Sequence, residues 1–117
     1  MSTTKVVNCK VSHIRPQYTN LEEWMKDENN VYIGRPGIVF INGKRFPPKG
    51  SPFANPYKTG TREEIIEQFK VYIEAKLKNS PTLLLELKML KGKNLGCWCK
   101  PEACHGDVLV EIINNLN

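Results

Sequence analysis

Apolar and polar positions alternate along this chain in two rhythms, and the rhythms divide it into strands and helices. Lys5 to Lys10 (KVVNCK) carries a β-branched pair at its centre and predicts a short strand. In PQYTNLEEWMKDENN, Trp24 and Met25 face inward on a short helix, with Asn20 as its cap and Glu23 completing a capping box. Val31 to Gly34 (VYIG) predicts a second strand, broken by Arg35-Pro36-Gly37. Ile38 to Phe46 (IVFINGKRF) predicts a hairpin, because Asn42-Gly43 between two extended runs favours a two-residue turn. The following PPKGSPFANPYKTG is too rich in proline and glycine for helix or central strand and must be a loop. Long loops on small domains tend to carry function.

Helical spacing takes over at Thr61, which with Glu64 forms a second capping box. Ile65, Ile66, Phe69, Tyr72, Ile73 and Leu77 then recur at three and four, giving one apolar face. Ser80-Pro81 opens another helix, with serine capping and proline in the first turn. Leu84, Leu87 and Leu90 form its buried side and Gly92 ends it. Asn94 to Cys99 (NLGCWC) predicts a strand, and Gly106 to Asn115 a last helix with Val108, Leu109, Ile112 and Ile113 apolar. The order is strand, short helix, strand, hairpin, two helices, strand, helix. Such alternation predicts one α/β domain over residues 1–117, built on a small, mostly parallel sheet flanked by helices.

Composition agrees with one soluble globular core: 117 residues, 40% hydrophobic and 25% charged. No apolar run reaches bilayer length, so no membrane partner is expected. The opening MSTTKVVNCK lacks the apolar segment of a secretory signal, which points to the cytoplasm. Charge changes the picture more. Residues 31–60 hold Arg35, Lys44, Arg45, Lys49 and Lys58 without any acid, which accounts for the whole net charge of +5. That segment is either a solvated face or a surface that meets phosphate.

The densest chemistry lies in GCWCKPEACHGD, residues 96–107, with three cysteines and a histidine. Strand geometry places Cys97 and Cys99 on one face and Trp98, most simply a core residue, on the other. Cys104, His105, Gly106 and Asp107 fall at the start of the last helix, a junction where α/β sheets bind ligands and helix N–H groups attract anions. Cys9, distant in sequence, reads as a buried strand thiol.

Four chemistries fit the motif. Zinc could be held by Cys97, Cys99, Cys104 and His105, although C-x-C-x4-C-H is not a common zinc spacing and adjacent Cys104 and His105 would need a strained turn. Cys97 and Cys99 could form a thiol–disulfide couple, with tight bridge geometry. A catalytic site would use a thiolate such as Cys99 as nucleophile, His105 as acid or base and Asp107 to orient it. Lastly, the motif could line a pocket that binds a phosphate-bearing ligand.

VYIGRP, SPFANPYK, GTREEIIEQF and above all LKGKNLGCWCKPEACHGDVL resemble the family known as domain of unknown function 4326, small proteins of bacteria and their viruses. The likeness runs from Val31 onward. The matched positions are Gly34, Arg35, Pro36, Asn55, Pro56, Cys97, Trp98, Cys99, Pro101, Cys104, His105, Gly106 and Asp107. The resemblance implies a Rossmann-like domain in a bacterial or phage-infected cell. In the family pattern the Arg-Pro pair runs almost directly into the Asn-Pro segment, so residues 37–50 read as an inserted hairpin and proline-rich loop.

The leading expectation is a small domain that binds, and has the groups to process, a nucleotide or nucleotide-derived ligand. Its ligand-binding residues would be Gly34, Arg35, Asn55, Cys97, Cys99, Cys104, His105 and Gly106. Arg35 has the planar fork suited to phosphate, but could equally tie backbone carbonyls; Asn55 could read a base or sugar edge, or cap a turn. This reading assigns no metal and no cofactor, and fixes neither a reaction nor an oligomeric state. The alternatives are a zinc-stabilised interaction module without catalysis, and a nucleic-acid binder using Arg35, Lys44, Arg45, Lys49 and Lys58.

Overall fold

The computed structural model describes residues 4–57, 59–98 and 102–116. Among the described residues ten elements follow one another: β1 (Lys5–Asn8), α1 (Val11–Ile14), α2 (Leu21–Met25), β2 (Asn30–Tyr32), β3 (Val39–Ile41), β4 (Lys44–Phe46), α3 (Arg62–Asn79), α4 (Pro81–Lys88), β5 (Asn94–Cys97) and α5 (His105–Asn114). β1, β5 and β2 form a three-stranded parallel sheet in that order, so the last strand in sequence lies in the middle. Lys5 stands opposite Asn94 on one side of β5, and Asn30 stands opposite it on the other. The result is a mixed α/β domain with a small, mostly parallel sheet.

The pleat sorts side chains into two cores. Leu95 and Cys97 of β5 join Ile33 against Phe69, Ile73 and Leu77 of α3, Leu83 and Leu87 of α4, and Leu109 and Ile113 of α5. On the opposite face Tyr32 and Trp98 join Cys9, Ile14, Leu21 and Trp24. Gly96 also faces that side, and Trp24 packs so closely on it that any side chain at position 96 would overlap Cη2 of the indole. Parallel sheets need cover on both faces, and the two helical layers supply it.

Helix starts follow their caps. Thr61 Oγ1 accepts the Glu64 N–H at 3.1 Å and Glu64 Oε1 accepts the Thr61 N–H at 3.4 Å, the expected reciprocal box. Ser80 Oγ accepts from Leu83 N at 3.2 Å, with Pro81 in the first turn. At α2 the box is only half formed. Asn20 Oδ1 accepts from Glu23 N at 2.9 Å, but the Glu23 carboxylate reaches past the cap to Thr19 N at 3.3 Å. The strands are shorter than their hydrophobic runs suggest: β1 ends at Asn8, β2 at Tyr32 and β5 at Cys97.

The antiparallel pair β3–β4 turns through Asn42 and Gly43, at φ 53° and 78°, where the Asn-Gly pattern requires positive φ. The proline-rich loop behind it is held in place. Ser51 N donates to Gly34 O at 3.0 Å, Gly37 N to Pro47 O at 2.9 Å, and Phe53 is buried in the larger core.

Candidate functional site

The end of β5 and the start of α5 meet over the end of β2. Cys97 closes β5, and Cys104 is the N-cap of α5 with extended backbone. Both are buried thiols. Cys104 Sγ lies 2.8 Å from Cys97 Sγ and accepts the Gly106 N–H at 3.4 Å, doing with sulfur what a serine does at an ordinary cap. Gly106 is small by necessity: a Cβ there would stand 2.8 Å from Ile33 Cδ1 and 2.9 Å from Val6 Cγ2. Asp107, expected to orient His105, directs Oδ2 to the Cys104 N–H at 3.0 Å and so closes the helix start.

His105 is fixed from two sides. Its Nε2 is 2.9 Å from Ile33 O, and Phe69 packs edge-on against the ring at 5.0 Å between centroids. A carbonyl only accepts, so Nε2 carries the hydrogen and the neutral ring turns its Nδ1 lone pair toward Cys104 Sγ, 3.6 Å away. Burial holds the imidazole below its ordinary pKa. The Ile33 hydrogen bond works against that lowering, the Arg35 charge adds to it, and the Asp107 charge opposes it.

Beside this cluster opens a cleft of about 530 Å³. Cys97, Trp98, Cys104 and His105 line it from the β5–α5 junction, Arg35, Asn55 and Tyr57 from the end of β2 and its loop, and Arg62, Ile65 and Ile66 from α3. Arg35 Nε donates to Asn55 O at 3.0 Å and Nη2 to Tyr57 O at 3.1 Å, so its fork ties the loop to the end of β2. Asn55 Oδ1 accepts from Tyr57 N at 2.9 Å, which makes it the pivot of an Asx turn. Both residues therefore act through the more structural of their expected roles, and both line the cleft. Gly34 also lines it, and a Cβ at that position would overlap the Tyr32 hydroxyl. That hydroxyl donates to Arg35 O at 2.8 Å and accepts the Trp98 Nε1–H at 2.9 Å.

Two cleft residues escape a reading by motif. Tyr57, as readily core as a stacking platform in sequence, lines the cleft and packs edge-on against Tyr72 at 5.7 Å between centroids. Arg62 reaches from the first turn of α3 to donate through Nη1 to Ala103 O at 3.1 Å. A cation in a helix's first turn opposes the macrodipole, and that mismatch was the available signal.

Cys99 and Lys58 lie outside the described residues. Among the described residues no group of three metal-ligating side chains converges. Lys44, Arg45 and Lys49 do not line the cleft. Arg45 is spent within the hairpin region, its guanidinium 5.0 Å from the Phe40 ring centre and its Nη1 donating to Gly37 O at 3.1 Å.

Fold and cleft together define a class: a small mixed α/β domain with a buried Cys–His cluster at the carboxyl edge of a parallel sheet. The chain belongs to the family described as Domain of unknown function (DUF4326), which matches residues 17–115 and bears out the motif resemblance. Over 57 residues it is 42% identical to "Uncharacterized 12.4 kDa protein in nrdA-td intergenic region" of Enterobacteria phage T4. That alignment covers 49% of this chain and 53% of the relative, so the match spans about half of each. No solved structure matches the chain significantly. No helix among the described residues is long and apolar enough to cross a membrane.

Proposed function

We propose that the cleft binds a small phosphate-bearing ligand of the nucleotide class, with His105 as the group able to move a proton on it. The observation that carries this reading is that Arg35 and Arg62 line one cleft together with Tyr57 and Trp98. Two guanidiniums suit a phosphate, and an aromatic edge suits a base or other planar ring. A cavity of about 530 Å³ falls within the usual size range for small-molecule sites. Its position beyond the carboxyl ends of parallel strands is where open α/β sheets take ligands. On this reading the domain is a reduced Rossmann-like unit acting in a bacterial or phage-infected cell, and segment 37–50 is an added arm beside the cleft mouth.

The test is calorimetric titration with a panel of mono-, di- and cyclic nucleotides and their nucleosides, on the native chain and on Arg62→Ala. Arg62 is exposed, so its loss should leave the fold intact. The expected result is a phosphate-dependent binder that Arg62→Ala weakens by about tenfold, equivalent to losing one charge-assisted contact. Nucleosides should bind weakly and equally to both proteins. No binding by any panel member would overturn the proposal.

A further inference from the structure

Ligand binding makes no use of the two thiols at the cleft base, and their arrangement has a direction. Cys97 and Cys104 come from different elements, yet their Sγ atoms meet at 2.8 Å. A disulfide needs about 2.05 Å, so the two sulfurs already stand close to bonding distance. The Nδ1 lone pair of His105 and the Gly106 N–H both address Cys104. The first can take a proton from that thiol, and the second favours the thiolate left behind. Both sulfurs line the cleft although their residues are only 1% exposed, so a reagent must be small to reach them.

We propose that Cys97 and Cys104 form a redox couple that a small hydroperoxide oxidises, with Cys104 as the attacking thiol, His105 as its proton acceptor and Cys97 as the resolving thiol. His105 Nδ1 takes the Cys104 proton, and the thiolate attacks the nearer peroxide oxygen. The O–O bond breaks, Cys104 becomes a sulfenic acid, and the departing hydroxide leaves as water with the proton from His105. The Cys97 thiol then attacks the Cys104 sulfur, forming the S–S bond and expelling a second water. Two thiols have given two electrons to one peroxide, which is reduced to two waters. Cys9 takes no part: it lies on the opposite face of the sheet, donating its S–H to Cys97 O at 3.3 Å.

The experiment treats the reduced full-length chain with equimolar hydrogen peroxide, alkylates what remains, and maps cysteines by peptide mass spectrometry. The expected product is a Cys97–Cys104 cross-link with Cys9 alkylated only after unfolding. In Cys97→Ser, Cys104 should stop at the sulfenic acid and be captured by dimedone. His105→Gln should slow cross-linking by about 100-fold, the low end for loss of a positioned base. A cross-link to Cys99 instead, a Cys104 inert to peroxide, or stoichiometric zinc that shields both thiols would each overturn the proposal. The wild-type map alone decides this, so it survives a variant that fails to fold.

Discussion

Replacing Arg35 by alanine should loosen the cleft wall more than it harms the core. Arg35 joins the end of β2 to carbonyls 20 and 22 residues further on, at 3.0 and 3.1 Å. Hydrogen bonds from a charged donor contribute about 1.5–3 kcal/mol each when well buried. Arg35 is only half-buried and the freed carbonyls can turn to water, so about 1 kcal/mol each is the better figure. The expected loss is therefore about 2 kcal/mol, or a fall in Tm of about 8 °C at roughly 4 °C per kcal/mol for a domain of this size. Hydrogen–deuterium exchange should localise the effect: amides between Ser51 and Tyr57 should lose protection while those of β5 and α3 keep theirs. Arg35→Lys keeps the charge but not the fork, and should recover less than half of the lost stability. Two results would refute the reasoning. One is an Arg35→Ala protein within about 0.5 kcal/mol of the native chain with the loop still protected. The other is full rescue by lysine, which would mean that charge rather than the double tie holds the wall.

Other perturbations probe the rest of the structure. Gly96→Ala places a Cβ onto Trp24 Cη2 and 2.8 Å from Cζ3, and should cost about 1–3 kcal/mol in denaturant unfolding. In a Trp24→Leu background the same change should cost clearly less, and equal costs would refute the contact. His105 has a lowered pKa in the fold, so below the unfolded value of about 6.5 the unfolded chain binds the extra proton first. Its contribution is therefore complete above about pH 6.5 and lost as pH falls through the folded value; His105→Gln should flatten the decline in stability between about pH 7 and 5. Cys9, its thiol pushed up to about 12 mainly by burial, should resist iodoacetamide at about pH 8.5 until the chain unfolds. Rapid native labelling of Cys9 would show that β1 opens.

Features governed by a few neighbouring residues could be seen in the sequence, and features made by chain crossing could not. Thr61 with Glu64, Ser80 with Pro81, and Asn42-Gly43 each satisfy local backbone groups, and the fold uses all three as expected. The alternation that separates Cys97 from Trp98 is also local, and the two do enter different cores. By contrast α1 is a four-residue turn, too short to show a helical period. The central position of β5 rests on pairing Lys5 with Asn94, which no local pattern reveals. Arg35, Asn55, Cys104 and His105 all line one cleft and Gly106 packs behind it on Ile33 and Val6, yet what Arg35 holds depends on where carbonyls 55 and 57 arrive. The contact of Cys97 with Cys104 has the same origin. It follows from the path between β5 and α5 rather than from residue spacing, which drew attention to Cys97 with Cys99.

Why the imidazole should be so firmly aimed follows from the sheet itself. The register pairs Tyr32 with Gly96, so one step further Ile33 faces Cys97, and Ile33 N duly donates to Gly96 O at 3.0 Å. In a parallel ladder the next rung would bring a β5 N–H to Ile33 O. The paired register ends at Tyr32, and a buried carbonyl left without that rung would have a real cost in free energy. His105, the first residue of α5, supplies the partner through Nε2 at 2.9 Å. The acceptor is main chain, held by the strand, so exchanging the Ile33 side chain cannot release the ring. Only a shift of register or of the start of α5 would do that. The end of the ladder thus selects the tautomer that leaves Nδ1 facing Cys104.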